Sequence, residues 1–409
     1  MGTAAARPEV DSPYAWARLA ISVLISAVGG VGMWSVVVVL PSVEAEFGVA
    51  RAGASLPYSL TMIGFAFGGV LMGSLADRFG ITVPVMLGAV ALSAGYAISA
   101  AATSLWQFAL VHGLLIGLLG SSATFSPLIA DISHWFERRR GIAVAICASG
   151  NYLAGAVWPP IVQYFINTVG WRQTHLGVGL VCLLTLLPLG WLLRRRKQRD
   201  RTTTAAALAG QAAGRTGLSP TGLQWLLAVA GFSCCVAMSM PQVHIVAYCG
   251  DLGYGVARGA EMLSLMLAFG IVSRIASGWI ADQIGGVATL LLGSVLQGVA
   301  LFLYLLFDGL TSLYVISALF GLFQGGIVPS YALIIREYFQ PAEAGARVGI
   351  VIMATLFGMA FGGWMSGFIY DLTGSYGMAF LNGLVWNFLN AAIVLWLLQR
   401  TGTARPVPV

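Results

Sequence analysis

The chain alternates long apolar stretches with short polar breaks. Apolar segments run over about 19–43, 53–75, 82–102, 106–132, 141–164 and 174–193. A second set covers about 222–249, 259–281, 287–307, 312–335, 347–370 and 377–399. Each is long enough for a membrane-spanning helix, which needs about 20 apolar residues. Twelve crossings use roughly 240 residues and leave short loops. One longer polar stretch separates the two sets. It opens with Arg194, Arg195, Arg196 and Lys197, passes through Thr202–Thr204 and an Ala/Gly-rich run, and ends at Pro220. Its composition is that of a linker. The expected organisation is therefore a six-helix bundle over 1–193, a cytosolic linker over 194–220, and a second six-helix bundle over 221–409.

Composition agrees with this pattern. Of 409 residues, 58% are hydrophobic and 9% charged. A soluble domain carries about 25% charged residues, so a cytosolic enzyme is excluded. The 52 glycines follow no three-residue period, and five cysteines are too few for a disulfide scaffold. The first apolar stretch is too long for a cleavable signal peptide and reads as the first spanning helix.

The 21 basic residues exceed the 15 acidic ones, for a net charge of +6. Alternate numbering of the loops puts Arg7, Arg18, Arg78, Arg138–Arg140, the seven of the linker, Arg336, Arg347, Arg400 and Arg405 on one side. Arg51, Arg172 and Arg258 fall on the other, and Arg274 lies inside a segment. The positive-inside rule places both termini and the linker in the cytosol of an inner or plasma membrane. The basic excess is thus a topology signal. Short basic loops without interleaved aromatics give no support to nucleic-acid binding.

The two sets repeat. Gly73, Ala76, Asp77 and Gly80 after the second segment match Gly278, Ala281, Asp282 and Gly285 after the eighth, each 205 positions on. Gly141, Gly150 and Gly155 match Gly349, Gly358 and Gly363 at an offset of 208. The glycines allow helices to approach closely. Each Asp is placed to meet a helix N-terminus of the other half. Asp77 is expected to pair with the start of the eleventh segment, at Arg347 and Gly349. Asp282 is expected to pair with the start of the fifth, at Arg139, Arg140 and Gly141. Together with Arg78, these contacts would latch the cytosolic side.

Arg274 carries the strongest chemical signal. An ionisable residue deep in a membrane helix is by default a functional candidate. It lies seven residues before Ala281, roughly 10 Å below the helix end at about 1.5 Å per residue. Its placement costs on the order of 3 kcal/mol. No Asp or Glu is available at that depth, since Asp131, Glu261 and Asp282 lie near segment ends. A substrate carboxylate can supply the missing partner through a two-point contact. One buried cation favours a monoanion over a dianion. An Arg bonded to helix carbonyls is the plain structural alternative.

His244, just after Pro241, is a second candidate, as substrate contact or proton carrier. Asn151, Trp34, Phe65, Thr124, Gln324 and Tyr331 occupy plausible inner positions, although such residues are more often helix-packing contacts. Tyr152 follows Asn151, Thr124 and Ser126 precede Pro127 in the fourth segment, and Gln324, Ser330 and Tyr331 flank an expected break at Pro329 in the tenth. His112, His134 and His175 receive no role. The five cysteines show no metal or redox spacing. No catalytic constellation, phosphate loop, metal motif or cofactor motif is present. An enzyme is therefore not expected, and any transport must draw on a gradient. The expected unit is a monomer in a lipid bilayer.

Both Asp copies resemble the loop signature of the major facilitator superfamily. The first, with Asp77, Arg78 and Gly80, is close to its full form, whereas the second has Gln283 for the basic residue. The resemblance implies an all-α fold of twelve transmembrane helices in two pseudo-symmetric six-helix bundles, with alternating access around a central cavity. Three stretches resemble the monocarboxylate-porter branch, which includes lactate/pyruvate carriers and an oxalate/formate exchanger. They are Asp11–Trp16, Trp135–Arg140 with Gly150, and Arg274 ahead of Gly278 and Asp282. Pro241, His244, Tyr248, Asp251 and Gly253 are similar to the seventh-helix pattern of bacterial members. The branch implies that Arg274 holds the carboxylate.

There are departures. The animal members' Asp four residues before that Arg is Gly270 here, and Trp34 stands near their first-helix lysine. The lysine that balances a second carboxylate in the oxalate exchanger has no counterpart, because Lys197 in the linker is the chain's one lysine. The expected function is a secondary transporter of a small organic monoanion such as lactate or pyruvate, with protons a possible coupling ion. A drug or metabolite exporter and a non-transporting sensor are the alternatives.

Overall fold

The computed structural model describes residues 10–195 and 218–401. Arg7, Arg405 and positions 196–217 of the expected linker lie outside the described residues. Among the described residues, twelve helices are long and apolar enough to cross a membrane. They are α1 (Pro13–Phe47), α2 (Arg51–Phe79), α3 (Thr82–Ala100), α4 (Leu105–Ile132), α5 (Arg140–Val169), α6 (Trp171–Leu192), α7 (Pro220–Asp251), α8 (Val256–Ile284), α9 (Gly286–Leu306) and α10 (Leu310–Tyr338). Then come α11 (Pro341–Thr373) and α12 (Tyr376–Thr401). Their outer surface is apolar, with Phe388, Leu372 and Trp279 75%, 70% and 68% exposed. Such a surface has no place in water and is the face a bilayer covers. Trp191 and Trp396 sit near helix ends with Arg194 and Arg400 over their rings at 3.8 and 4.4 Å, the pairing favoured at a membrane–water boundary.

Several helices run past their apolar stretch, which changes three expectations. First, α1 begins at Pro13, so Arg18 belongs to a helix rather than to a terminal segment. It is 1% exposed and forms a two-point ion pair with Asp131 of α4, at 2.7 and 3.0 Å. Trp135 lies 4.6 Å from its guanidinium, and the Tyr14 hydroxyl accepts from it at 3.2 Å. Pairing lets the helix keep a charge where hydropathy alone would end it. Second, Asp77 and Asp282 stand in the last turns of α2 and α8, not in loops. Gly80 and Gly285 close those helices at φ 84° and 83° with ψ 164° and 163°, a conformation open to glycine. The repeat seen in sequence is therefore a repeat of backbone geometry. Third, α10 breaks at Gly325–Gly326, not at Pro329. Pro329 falls in the first turn of Ile327–Tyr338, where its missing N–H costs nothing. α1 and α4 are interrupted too, at Gly30 and through a π-helical stretch, His112–Gly120, followed by a 3-10 turn, Ser121–Thr124.

The two halves meet along two antiparallel pairs, α2 with α11 and α5 with α8. Both pairs are V-shaped. At the face where α1 ends and α2 begins, here the far face, contact is close. Ser59 Oγ donates to Ala360 O at 2.6 Å, and a Cβ on Gly363 or Gly367 would come 3.1 Å from Tyr58 or 2.9 Å from Arg51 O. Phe67 and Phe357 touch midway, at 5.8 Å. At the face bearing the two aspartates, here the Asp face, Gly73, Gly141, Gly278 and Gly349 have nothing within 4 Å of a Cβ position. Among the described residues the two halves touch at the far face and stand apart at these four glycines of the Asp face.

Candidate functional site

Arg274 lies at the apex of that opening. Descending the α5–α8 seam from the far face, Ser264 Oγ bonds Ala156 O, and Leu267 packs against Gly155. The Tyr152 ring then fills the space beside Gly270, and Arg274 Nη1 donates to Ala148 O at 3.0 Å. The next matched glycines, Gly141 and Gly278, stand apart. The guanidinium lies 4.2 Å over the Tyr152 ring. A guanidinium offers five N–H donors; among the described residues this one donates to Ala148 O, and its Nε is buried without an acceptor. Among the described residues no carboxylate lies within 4 Å of it.

Three sequence candidates, Trp34, Asn151 and Gln324, lie around this locus. Trp34 Nε1 donates to Asn151 O at 3.2 Å, and the Trp34 ring covers Gly155. The Asn151 side-chain oxygen is buried without a partner and faces the α1 break, 3.0 Å from a Cβ position on Gly30. Gln324 is fully buried beside the α10 break, and neither amide atom has a partner. Gly325, next to it, abuts Gly270 O, so the break backs the Arg274 turn of α8. Phe65 packs on Phe125 at 5.8 Å. Thr124 lies against Gly29 and spends its hydroxyl on Ser121 O. Tyr331 is fully buried and donates to Asn390 at 2.9 Å, a contact that ties α10 to α12.

His244 sits elsewhere. Its Nε2 bonds Gly363 O at 2.8 Å, and its ring lies 5.9 Å from Tyr376. That places it under a charged cluster at the far face which sequence reasoning missed. Arg51, 6% exposed, pairs with Glu44 at 2.6 Å within its own half. It reaches across to Asp251 at 3.0 Å and to the Tyr376 hydroxyl, with Tyr370 4.8 Å from its guanidinium. Asp371, at the end of α11, accepts from the backbone N–H groups of Arg51 and Ala52, both at 2.8 Å. These are free donors of the first turn of α2, so a carboxylate of one half caps a helix of the other. The sequence signal was faint: charges scattered over four helix ends.

At the Asp face, Asp77, Arg78, Asp282, Arg139 and Arg140 are exposed. Arg347 bonds Glu343 one turn earlier at 2.7 Å. The Asp11 and Trp135 motifs meet in space. Asp11 accepts from Arg138 N at 3.2 Å, and Trp16 packs on Phe136 at 5.0 Å. They brace α1 against the α4–α5 turn. His112 and His175 are buried together among Phe108, Tyr96 and Trp171, away from Arg274.

The twelve long apolar helices found among the described residues agree with the sequence comparisons. The profile of the Major Facilitator Superfamily matches residues 22–312 and 276–409. The chain belongs to the major facilitator superfamily. Within it the chain is monocarboxylate porter-like. It is 31% identical over 319 residues to monocarboxylate transporter 13 of Bos taurus, covering 77% of this chain and 73% of that protein. It is likewise 31% identical over 329 residues to monocarboxylate transporter 11 of Mus musculus, covering 75% and 70%. Among solved structures, a bacterial homolog of the human lysosomal transporter Spinster, inward-facing and occupied, matches with a TM-score of 0.69. It shares 16% identity and covers 96% of each chain, a likeness of fold. As a member of this superfamily the chain is a multi-pass membrane transporter and not an enzyme.

Proposed function

We propose that this transporter moves a small organic monoanion, a monocarboxylate such as lactate or pyruvate, by alternating access, with Arg274 as the carboxylate anchor. The observation that carries this reading is the state of Arg274. It sits on the seam between the two halves, donates to Ala148 O, and among the described residues has no carboxylate within ion-pair distance. A monocarboxylate provides the charge and the paired acceptors that a guanidinium fork binds best. The names of the relatives support the same substrate class. The Asp face is assigned to the cytosol by the positive-inside rule, so the far face is external and the molecule is inward-open.

The gates then work by exchange of helix caps. Externally, Asp371 of α11 caps α2 and Arg51 bridges the halves. When the cleft turns outward these contacts break. Asp77 of α2 then caps the start of α11 near Arg347, and Asp282 of α8 caps the start of α5 near Arg139 and Arg140. The α2–α11 pair thus carries a capping aspartate at each end, used in alternate states. Substrate bound at Arg274 neutralises the seam and favours the swing. Counterflow in proteoliposomes tests the reading: labelled lactate or pyruvate should accumulate against unlabelled acid inside. No counterflow of any monocarboxylate refutes it. Efflux of apolar drugs in its place would establish an exporter, and no flux of any kind a sensor.

A further inference from the structure

Both groups that hold Arg274 belong to the opposite half. Ala148 O takes one N–H, and the Tyr152 ring covers one face of the guanidinium at 4.2 Å. Tyr152 is 7% exposed, and its position depends on a single glycine. A Cβ on Gly270 would overlap two of its ring carbons. Gly270 stands one helical turn before Arg274, on the same side of α8. An acidic side chain there would neutralise the arginine from within its own helix. The ring that fills the notch holds the cation without neutralising it. A guanidinium held over an aromatic ring keeps its charge and its N–H donors for an incoming carboxylate.

We propose that Tyr152, seated in the Gly270 notch, is the positioning residue for Arg274 and sets the affinity for the substrate carboxylate. This rests on the reading of Arg274 as anchor. Gly270 is required because the ring occupies its side-chain space, not for backbone freedom. Ring and notch belong to different halves, so the fork is aligned only while α5 and α8 are in contact at this level.

The test is initial-rate uptake of labelled pyruvate and L-lactate into proteoliposomes, with thermal melts of the same purified proteins. Tyr152→Phe keeps the ring and should hold KM within about threefold of wild type. Tyr152→Ala should raise KM about tenfold, the scale of one desolvated cation–π contact, with a smaller change in maximal rate. If Tyr152→Ala does not fold, Tyr152→Leu carries the same expectation. Gly270→Ala should raise KM similarly by displacing the ring, yet add nothing in the Tyr152→Ala background. Wild-type KM in Tyr152→Ala or Tyr152→Leu overturns the proposal, as do additive penalties in the double variant. Arg274→Gln separates the two layers. If it transports normally, the anchor reading itself falls. If it is inactive while Tyr152→Ala is unaffected, only the role of Tyr152 falls. Uptake of neither acid by the wild type removes the reading beneath both.

Discussion

The cap across the halves makes a quantitative prediction. Asp371 takes two backbone N–H groups at the start of α2, both at 2.8 Å. Its charge also sits at the positive end of the α2 dipole. Replacing a capping carboxylate with Ala costs about 0.5–2 kcal/mol. Asp371 is exposed, so screening limits the dipole share, and about 1.4 kcal/mol is a fair estimate. On the proposed exchange of caps, the loss falls on the state closed at the far face alone. At 1.4 kcal/mol per factor of ten, Asp371→Ala should raise the ratio of externally open to externally closed protein about tenfold. Spin labels at Thr103 and Asp308, both exposed in far-face loops of opposite halves, would report this by pulsed electron paramagnetic resonance. The long-distance population should grow at the expense of the short one. An unchanged distribution would show that Asp371 does not hold the gate.

Two further predictions concern charges at the other face. Asp77→Lys should abolish transport and leave the Asp face open, because the externally open state loses its α11 cap; wild-type rates would refute the exchange of caps. Arg18→Gln should lower the melting temperature by several degrees, because it leaves Asp131 half-buried without its cation, a loss of about 2 kcal/mol. Asp131→Asn in the same chain should recover part of it, and an unshifted melt would contradict the bracing role.

Sequence periodicity carried the number of helices, because a bilayer imposes one length and one chemistry on each. It singled out Arg274 as well, as a cation inside an apolar run; bonding to a helix carbonyl was the structural alternative, and the structure shows one such bond, to Ala148 O. The ends of the helices were less legible. Arg18 looked like a boundary because its partner, Asp131, lies 113 residues away. The far-face charged cluster was harder still. Glu44, Arg51, Asp251 and Asp371 stand at the ends of four helices, and each alone reads as a solvated terminus. Only the α2–α11 crossing assembles them. His244 was attractive for its chemistry beside a proline, but the fold turns it toward Gly363 O and Tyr376. Gly270 read as a missing acid in sequence. The register of α5 against α8 shows it to be an occupied notch, and no single-helix pattern contains that register.

The central claim is that Arg274 binds a carboxylate. Its most direct test is the thermal shift of the purified protein with saturating pyruvate, compared between wild type and Arg274→Lys. Ligand at 100 times its Kd stabilises the folded state by about 2.7 kcal/mol. The lysine variant keeps the charge but loses the planar fork. The account predicts a clear upward shift for wild type and little or none for Arg274→Lys, although both melt alike without ligand. Equal shifts in the two proteins would contradict it.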